Sequence, residues 1–521
     1  MQKLATEYLL ATRKRHPDKT AVVSREESVT FSELWRRGVE LGFYLKKATG
    51  VWNTPVVIDI EKSIDAVVAM AAVQLSGNIY VPLDVETPPH RRARALGSLG
   101  PHFVLDREGG RFRLDGNPVP PATDSHETME ADLLEGLKRR NSLDPLYIMF
   151  TSGSTGVPKG VTIANASVID YIDWLSRTYD VTENEVIGNM TPFHFDGSVP
   201  DIYLTFARGC TLHLVPREHF VMLPSLLDYL NEHAVTSIAI VPSVLSNIAA
   251  LKLLDDCPLP ALRKVIFAGE AMPPGTLKYL RERLPHALLS NMYGPTEGTV
   301  GCIHWMCGAR FDGQSAVPLG VPCGNREIVL LDEAGRAVEG ADTTAEICIG
   351  GIGVALGYWN DPERTRAAFI QNPGQTHYPR IIYRTGDLGY RSSKDGLIYL
   401  VGRKDDQIKH MGHRIEPGEI ESALNRVPGV VHSSVQYDAP RKTVVAFYCA
   451  GSRGEIPRLR EKLANDLPPY MLPGEFVAVG TIPFTASGKV DKAALWDLRT
   501  QIRKGAAATT NGTATGKERN P

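Results

Sequence analysis

Between Tyr147 and Gly160 an apolar run, YIMF, leads straight into Thr151, Ser152, Gly153, Ser154, Thr155 and Gly156, and after Val157 and Pro158 stands Lys159. Glycines let backbone approach an anion closely, hydroxyls and N–H groups donate to phosphate oxygens, and a terminal lysine adds positive charge. A Gly/Ser/Thr cluster is most often a plain turn. A strand directly before it and a lysine at its end favour phosphate binding instead. The spacing is not a Walker loop, because Pro158 occupies the place of the second required glycine, so kinase-like and GTPase readings lose their main support. A second run, GGIGVALG at 350–357, misses the dinucleotide fingerprint, since Leu356 stands where the third glycine belongs; it reads as a sheet-edge turn.

A loop of this kind needs sheets behind it, and the chain supplies them. SIAIV at 237–241 and KVIFAG at 264–269 read as buried strands, each followed by a helical pattern, SVLSNIAALKLL and TLKYLRERL. Such alternation predicts an α/β architecture with substantial mixed sheet. From Asp405 the pattern changes to a helix (EIESALNRV), a strand (VVHSSVQY) and another helix (RLREKLANDL), a small α+β unit. The expected division is an N-terminal core over 1–404, a smaller domain over 405–503, and a disordered tail over 504–521, where GAAATTNGTATGKERNP carries no large apolar residue.

Composition narrows the class. A 521-residue chain with 43% apolar and 22% charged residues is ordinary for a globular enzyme. The net charge of -2 gives no chain-wide basic field for nucleic acid or an anionic membrane. Seven scattered cysteines without a C-x-x-C spacing support neither a zinc ribbon nor a disulfide framework, and a reducing cytoplasm is expected. The N-terminal segment alternates apolar and charged residues like a surface helix rather than an export signal, and the apolar run near Ile64–Leu75 is too short to span a bilayer.

TSGSTGVPKG resembles the phosphate loop of the acyl-adenylate-forming superfamily, which includes amino acid adenylation domains, acyl-CoA synthetases and luciferases. Six further motifs follow that pattern around it: SGNIYVPLD (76–84), FHFDGS (193–198), NMYGPTE (291–297), YRTGDL (383–388), GRKDDQIKHMGHRIEPGEIE (402–421) and FTASGKVDK (484–492). FHFDGS, with YVPLD and SGKVD, is similar to the amino acid-activating branch of nonribosomal peptide biosynthesis, and its surroundings resemble D-alanine–carrier protein ligases. Two mild departures, Ile79-Tyr80 for Ala-Tyr and Ala486-Ser487 for Pro-Asn, leave the charged groups intact.

The resemblance implies a large multi-subdomain N-terminal domain and a small mobile C-terminal domain turning about a hinge at Asp405. It implies ATP and Mg2+ as cofactors, with Glu297 as metal ligand and Lys489 bridging substrate carboxylate and phosphate. ATP would meet the loop residues 151–156 and Lys159, then Gly269, Glu270, Asn291, Met292, Tyr293, Gly294 and Thr296, with Tyr293 stacked on adenine. Asp387 would take the ribose hydroxyls beside Arg403. The substrate pocket carried over is Asp196, Gly197, Pro200, Ser243, Ile266, Ala268, Met292, Val300 and Gly301, in which Asp196 pairs with the substrate ammonium. A buried carboxylate is costly without such a partner, and acids lacking an ammonium have nothing to offer it. Apart from Asp196 and Lys489 the pocket carries no charge, so a charged side chain would be buried unpaired. Its small residues favour a bulky neutral side chain, whereas the D-alanine ligase likeness favours a small one. The acceptor is expected to be the phosphopantetheine thiol of a separate carrier protein. The competing readings are an acid–CoA ligase and a non-catalytic nucleotide-binding protein.

Overall fold

The computed structural model describes residues 2–153, 156–220, 222–308, 311–450, 458–485 and 490–512, the last eight of them as backbone. Its mixed α/β chain divides into two compact units. The larger comprises Met1–Glu86, Ala95–Thr151 and Lys159–Asp405; the smaller comprises Thr87–Arg94, Ser152–Pro158 and Asp406–Pro521.

Three sheets build the larger unit. In the nine-stranded sheet the strands Thr20–Ser24, Thr211–Leu214, Val186–Asn189, Ser237–Ile240, Lys264–Ala268 and Leu288–Tyr293 run parallel, with antiparallel strands at both edges. Parallel strands covered on both faces read as continuous apolar runs, as SIAI and KVIFA do. The eight-stranded sheet contains the antiparallel hairpin Pro145–Thr151 and Lys159–Ala164, whose connection is the glycine-rich loop. A third, antiparallel sheet carries Arg326–Leu331, Ala345–Gly351, Ile381–Arg391, Phe369–Gln371 and Ile398–Arg403. The strand Ala345–Gly351 ends in the turn expected of GGIGVALG. There Gly351 has φ +92°, and a Cβ on it would lie 2.2 Å from the Asn325 carbonyl oxygen.

The helix Ile64–Leu75 is buried around nearly its whole circumference, so its apolar run is core rather than membrane. Ser63 accepts from the Ala66 N–H and caps its start. It packs on Phe31–Thr49, where Gly42 permits the approach: a Cβ there would lie 2.9 Å from the Ala72 carbonyl oxygen. Among the described residues, no helix is long and apolar enough to cross a membrane.

In the smaller unit the helix Pro417–Asn425 packs on a sheet of Val430–Asp438, Thr443–Ala450 and Glu475–Ala478. The second expected helix is shorter than read, Leu459–Leu463, because Pro468 and Pro469 close behind it disfavour helical backbone. Two segments distant in sequence join this unit through side chains. Ser152 Oγ donates to the Arg414 carbonyl at 2.8 Å, Arg91 pairs with buried Glu419, and Arg94 reaches Asp466 at 3.0 Å. The last helix runs Lys492–Gly512, so the segment expected to be disordered from 504 begins as helix. Ala506, Ala507 and Ala508 are the strongest helix formers available. Residues 513–521 lie outside the described residues.

Candidate active site

Lys159 opens the return strand of the hairpin, opposite Thr151, and the short strand Gly357–Tyr358 pairs alongside with Tyr358 opposite Val161. That register brings the Lys159 ammonium 3.3 Å from the Tyr358 hydroxyl and 3.3 Å from Glu297 Oε1. Tyr358 Oη also donates to Glu297 Oε1 at 2.9 Å. Glu297 has no accessible surface. A buried carboxylate held by a lysine and a phenol is an organised charge site rather than a surface turn. The two residues expected to meet phosphate and metal are thus brought together, and Tyr358, which the sequence reading missed, joins them.

Asp387 and Arg403 stand directly opposite each other on antiparallel strands. Arg403 Nη1 donates to Asp387 Oδ1 at 2.5 Å, while Tyr293 Oη, arriving from the nine-stranded sheet, donates to Asp387 Oδ2 at 2.6 Å. Arg403 also reaches the Thr385 carbonyl and both Asp405 oxygens, at 3.1, 2.6 and 2.7 Å. Burial and then the Asp387 charge push the Tyr293 phenol well above its ordinary range, so it stays a donor.

Asp196 begins a single 3-10 turn, Asp196–Ser198, that leads into the helix Val199–Arg208 with Pro200 in its first turn. The N-cap residues Phe195 and Ser198 make no side-chain cap bond, and the Asp196 carboxylate itself accepts from the Gly197 N–H at the start of the turn. The carboxylate accepts from the Thr296 hydroxyl and feels the Glu297 charge. It keeps some accessible surface, yet protein surrounds it closely enough that desolvation dominates. Its pKa is pushed up to about 6, with Thr296 opposing and Glu297 adding. Near neutral pH it is mostly ionised. Thr296, grouped by sequence with the nucleotide, therefore also contacts the pocket.

The pocket wall follows from strand register. Ile266 and Ala268 alternate onto one face of Lys264–Ala268, and Met292 lies beside Ala268. At the strand end Gly269 has φ +92°, and the following Glu270 accepts from the Ser243 N–H at 2.9 Å, bringing those two together at a helix start. Asn291 instead donates to the Pro318 carbonyl at 2.8 Å, a structural bond. Gly197 sits over Thr191, with an added Cβ 3.4 Å from its side chain. Thr299 and Val300 both occupy the left-handed region, φ +60° and +65°, an uncommon conformation for β-branched residues, and the Thr299 hydroxyl donates to the Gly353 carbonyl at 2.7 Å. Gly294 must be glycine, because a Cβ would meet the Val300 carbonyl oxygen at 2.3 Å.

Gly301 does not leave empty space. A Cβ on it would lie 2.4 Å from Met292 Sδ and 2.8 Å from Tyr171 Oη, so Met292 fills the volume that the glycine vacates. Gly301→Ala is expected to destabilise the larger unit by about 1–3 kcal/mol through overpacking. Met292→Ala in the same chain should recover most of that loss, a coupling read from the melting of both single variants and the double one. Additive losses would show that the two side chains do not compete for this space.

The glycine-rich loop belongs to the smaller unit. There Gly156, at φ +80°, lies against Ser422, whose Oγ would be 2.7 Å from an added Cβ, and the Gly156 N–H donates to the Gly153 carbonyl at 3.0 Å. Ser154, Thr155 and Lys489 lie outside the described residues. No group of three or more His, Cys, Asp or Glu side chains among the described residues could hold a metal by itself. A single buried carboxylate, Glu297, fits magnesium, which takes most of its ligands from phosphates and water.

Residues 9–359 match the family model described as AMP-binding enzyme, and 419–489 match the AMP-binding enzyme C-terminal domain. Tyrocidine synthase 3 of Brevibacillus parabrevis is 32% identical over 493 residues, 92% of this chain but 7% of that protein. Zwittermicin A synthase ZmaJ of Bacillus cereus is 32% identical over 509 residues, 95% of this chain and 94% of that protein. The chain thus spans a small fraction of the former relative and nearly all of the latter. Among solved structures, holo-PA1221, an NRPS protein containing adenylation and PCP domains, superposes with a TM-score of 0.79 at 24% identity, over 95% of this chain and 84% of that one. The Vibrio cholerae adenylation domain AlmE, in complex with glycyl-adenosine-5'-phosphate, gives 0.78 at 22% identity, over 96% and 98%. An o-succinylbenzoate CoA synthetase, MenE of Bacillus subtilis, gives 0.78 at 23%, over 95% and 98%. At these identities the structural likeness speaks for the fold.

Proposed function

Because the chain belongs to the family of AMP-binding enzymes, whose model matches residues 9–359, we propose that it activates an amino acid as aminoacyl-AMP and passes it to the phosphopantetheine thiol of a separate carrier protein. The observation that carries the amino acid is Asp196, an ionised carboxylate set beside Thr296 and Glu297 with burial opposing its charge. An ammonium group is the partner that relieves this cost.

The reaction joins a carboxylate oxygen of the substrate to the α-phosphorus of ATP and expels pyrophosphate. Negative charge accumulates on the phosphates, so positioning and electrostatics do the work. Lys159 offers its ammonium to that charge, with Tyr358 fixing its direction. Glu297 would hold Mg2+, which neutralises phosphate charge when bound. Asp387, oriented by Arg403 and Tyr293, takes the ribose hydroxyls. Lys489 is assigned to the substrate carboxylate on its motif. In the second half-reaction the thiol sulfur bonds to the acyl carbon, its proton departs, and AMP leaves. The two half-reactions need different groups at one carbonyl, which a hinge at Asp405 would supply; the division between units falls between Asp405 and Asp406.

The likeness to MenE favours one second reading, a carboxylic acid–CoA ligase with the same first step. Pyrophosphate exchange over a panel of amino acids and their deamino analogues separates the two. Amino acids are expected to exchange and the analogues to fail, with loading of a holo-carrier protein and no acyl-CoA formed. Exchange with simple acids and free CoA as acceptor would establish the second reading.

A further inference from the structure

Asp196 stands near the middle of a segment whose two ends are tied by one buried polar network. At the first end, Asn189 closes the parallel strand Val186–Asn189 and has no accessible surface. Its carbonyl accepts from the Val215 N–H at 3.1 Å and from the Lys62 ammonium at 3.2 Å. Lys62 also donates to the Val215 carbonyl at 2.8 Å. At the second end, Asp201 lies buried in the first turn of the helix Val199–Arg208, its carbonyl accepting from the Thr205 hydroxyl at 2.9 Å. The two ends meet directly, for Asn189 Nδ2 donates to Asp201 Oδ2 at 2.9 Å across 12 positions. Burial pushes the Asp201 carboxyl up to about 7, while the Asn189 bond and the Lys62 charge draw it down, so the three side chains act on one another.

Between those ends the chain has little slack. The Phe195 N–H donates to the Pro192 carbonyl at 3.1 Å, and Ser198 donates to the Phe195 carbonyl through its N–H at 3.1 Å and its hydroxyl at 2.8 Å. Met190 and Phe193 are anchored in separate parts of the core. Stability alone does not ask for this arrangement. A buried carboxylate, amide and ammonium can be exchanged for apolar side chains of like volume at little or no cost. Asn189 Oδ1 has no partner among the described residues, a cost that an apolar residue would avoid. What a buried polar network supplies instead is a single fixed arrangement of the segments it joins.

We infer that Lys62, Asn189 and Asp201 are positioning residues, which hold the segment 190–200 so that the Asp196 carboxylate meets the substrate's ammonium group. This rests on the amino acid-activating reading above and deepens it. Their part is indirect and runs through Asp196. A misplacement of about 1 Å can cost about a hundredfold. The ammonium is bound alike before and during the reaction, so the loss falls on the KM for the amino acid and spares kcat and the KM for ATP.

The test is pyrophosphate exchange by the full chain, with the amino acid that the wild type exchanges best and with its deamino analogue. Asn189→Leu combined with Asp201→Leu removes donor and acceptor together, so the melting temperature should hold near that of the wild type. The KM for the amino acid should rise about tenfold to a hundredfold, with kcat and the KM for ATP within about twofold. Lys62→Met keeps the aliphatic stem and should raise the same KM about tenfold. Asp201→Asn keeps an acceptor for Asn189 and should bring back most of the amino acid KM. In an Asp196→Ala background the leucine pair should cost nothing more in kcat/KM for the amino acid, because the group being positioned is gone. Should the leucine pair fail to fold, Lys62→Met carries the test on the same constants. Four results would overturn the positioning role and leave the amino acid reading standing: an unchanged KM in the leucine pair or in Lys62→Met, equal losses for amino acid and ATP, Asp201→Asn as impaired as the leucine pair, or the full loss recurring in the Asp196→Ala background. If the wild type exchanges only deamino acids, the reading falls and the positioning role falls with it.

Discussion

Asp196→Ala is expected to raise the KM for the amino acid by two to three orders of magnitude, with the KM for ATP little changed. The carboxylate stands in a desolvated setting, and its pKa is pushed up to about 6 by burial above all. Removing one member of a buried ion pair costs about 3–5 kcal/mol, which sets that range. Stability should not fall in parallel, because without a bound ammonium the native carboxylate is itself a strained charge. Pyrophosphate exchange with varied amino acid and varied ATP gives both constants. A variant that still discriminated phenylalanine from its deamino analogue would remove Asp196 from the substrate and return it to a structural part.

The second large effect concerns Asp387. Two donors converge on it, the half-buried Arg403 Nη1 and the buried Tyr293 Oη, from two different sheets. Asp387→Ala should lower kcat/KM for ATP by about a hundredfold or more and destabilise the larger unit by about 3–5 kcal/mol, since both donors lose their acceptor. Asp387→Asn separates the two roles. Its amide oxygen can still accept from one donor, so most stability should return while the ribose site stays impaired. Full activity in Asp387→Asn, with only Asp387→Ala defective, would make this aspartate a fastener between sheets.

These charged groups were legible in the sequence because each stands in a short motif whose residues end up within a strand register of one another. Asp387 and Arg403 are the clearest example, lying opposite on adjacent strands. The parallel strands at 237–240 and 264–268 were legible too, as apolar runs bounded by Pro242 and Gly269. What stayed hidden depends on distant contacts. Arg326 sits in a strand where an arginine breaks no pattern, and only three-dimensional packing brings its guanidinium 2.9 Å from Asp170. Tyr358 reaches Glu297 only because a two-residue strand joins the edge of the hairpin. Ser152 belongs with the smaller unit through contacts that include a hydrogen bond spanning 262 positions, from Ser152 to Arg414. Counting small residues suggested room along the pocket, and that Met292 lies against Gly301 is seen only once the strands are packed.

The parallel pairing of Thr20–Ser24 with Thr211–Leu214, Val22 opposite Leu212, has a consequence for how the chain is made. The first β-strand to leave the ribosome has its main partner nearly two hundred residues downstream. At roughly 5–20 residues per second, it waits on the order of ten to forty seconds before that partner exists. Until then its only strand partner among the described residues is Glu27–Thr30, and a lone hairpin is marginal in water. The N-terminal segment should therefore be the stretch of a nascent chain most open to protease and to chaperone capture. Pulse-labelled nascent chains cut short before residue 211 should lose their first thirty residues to brief proteolysis, and chains released beyond residue 293 should keep them.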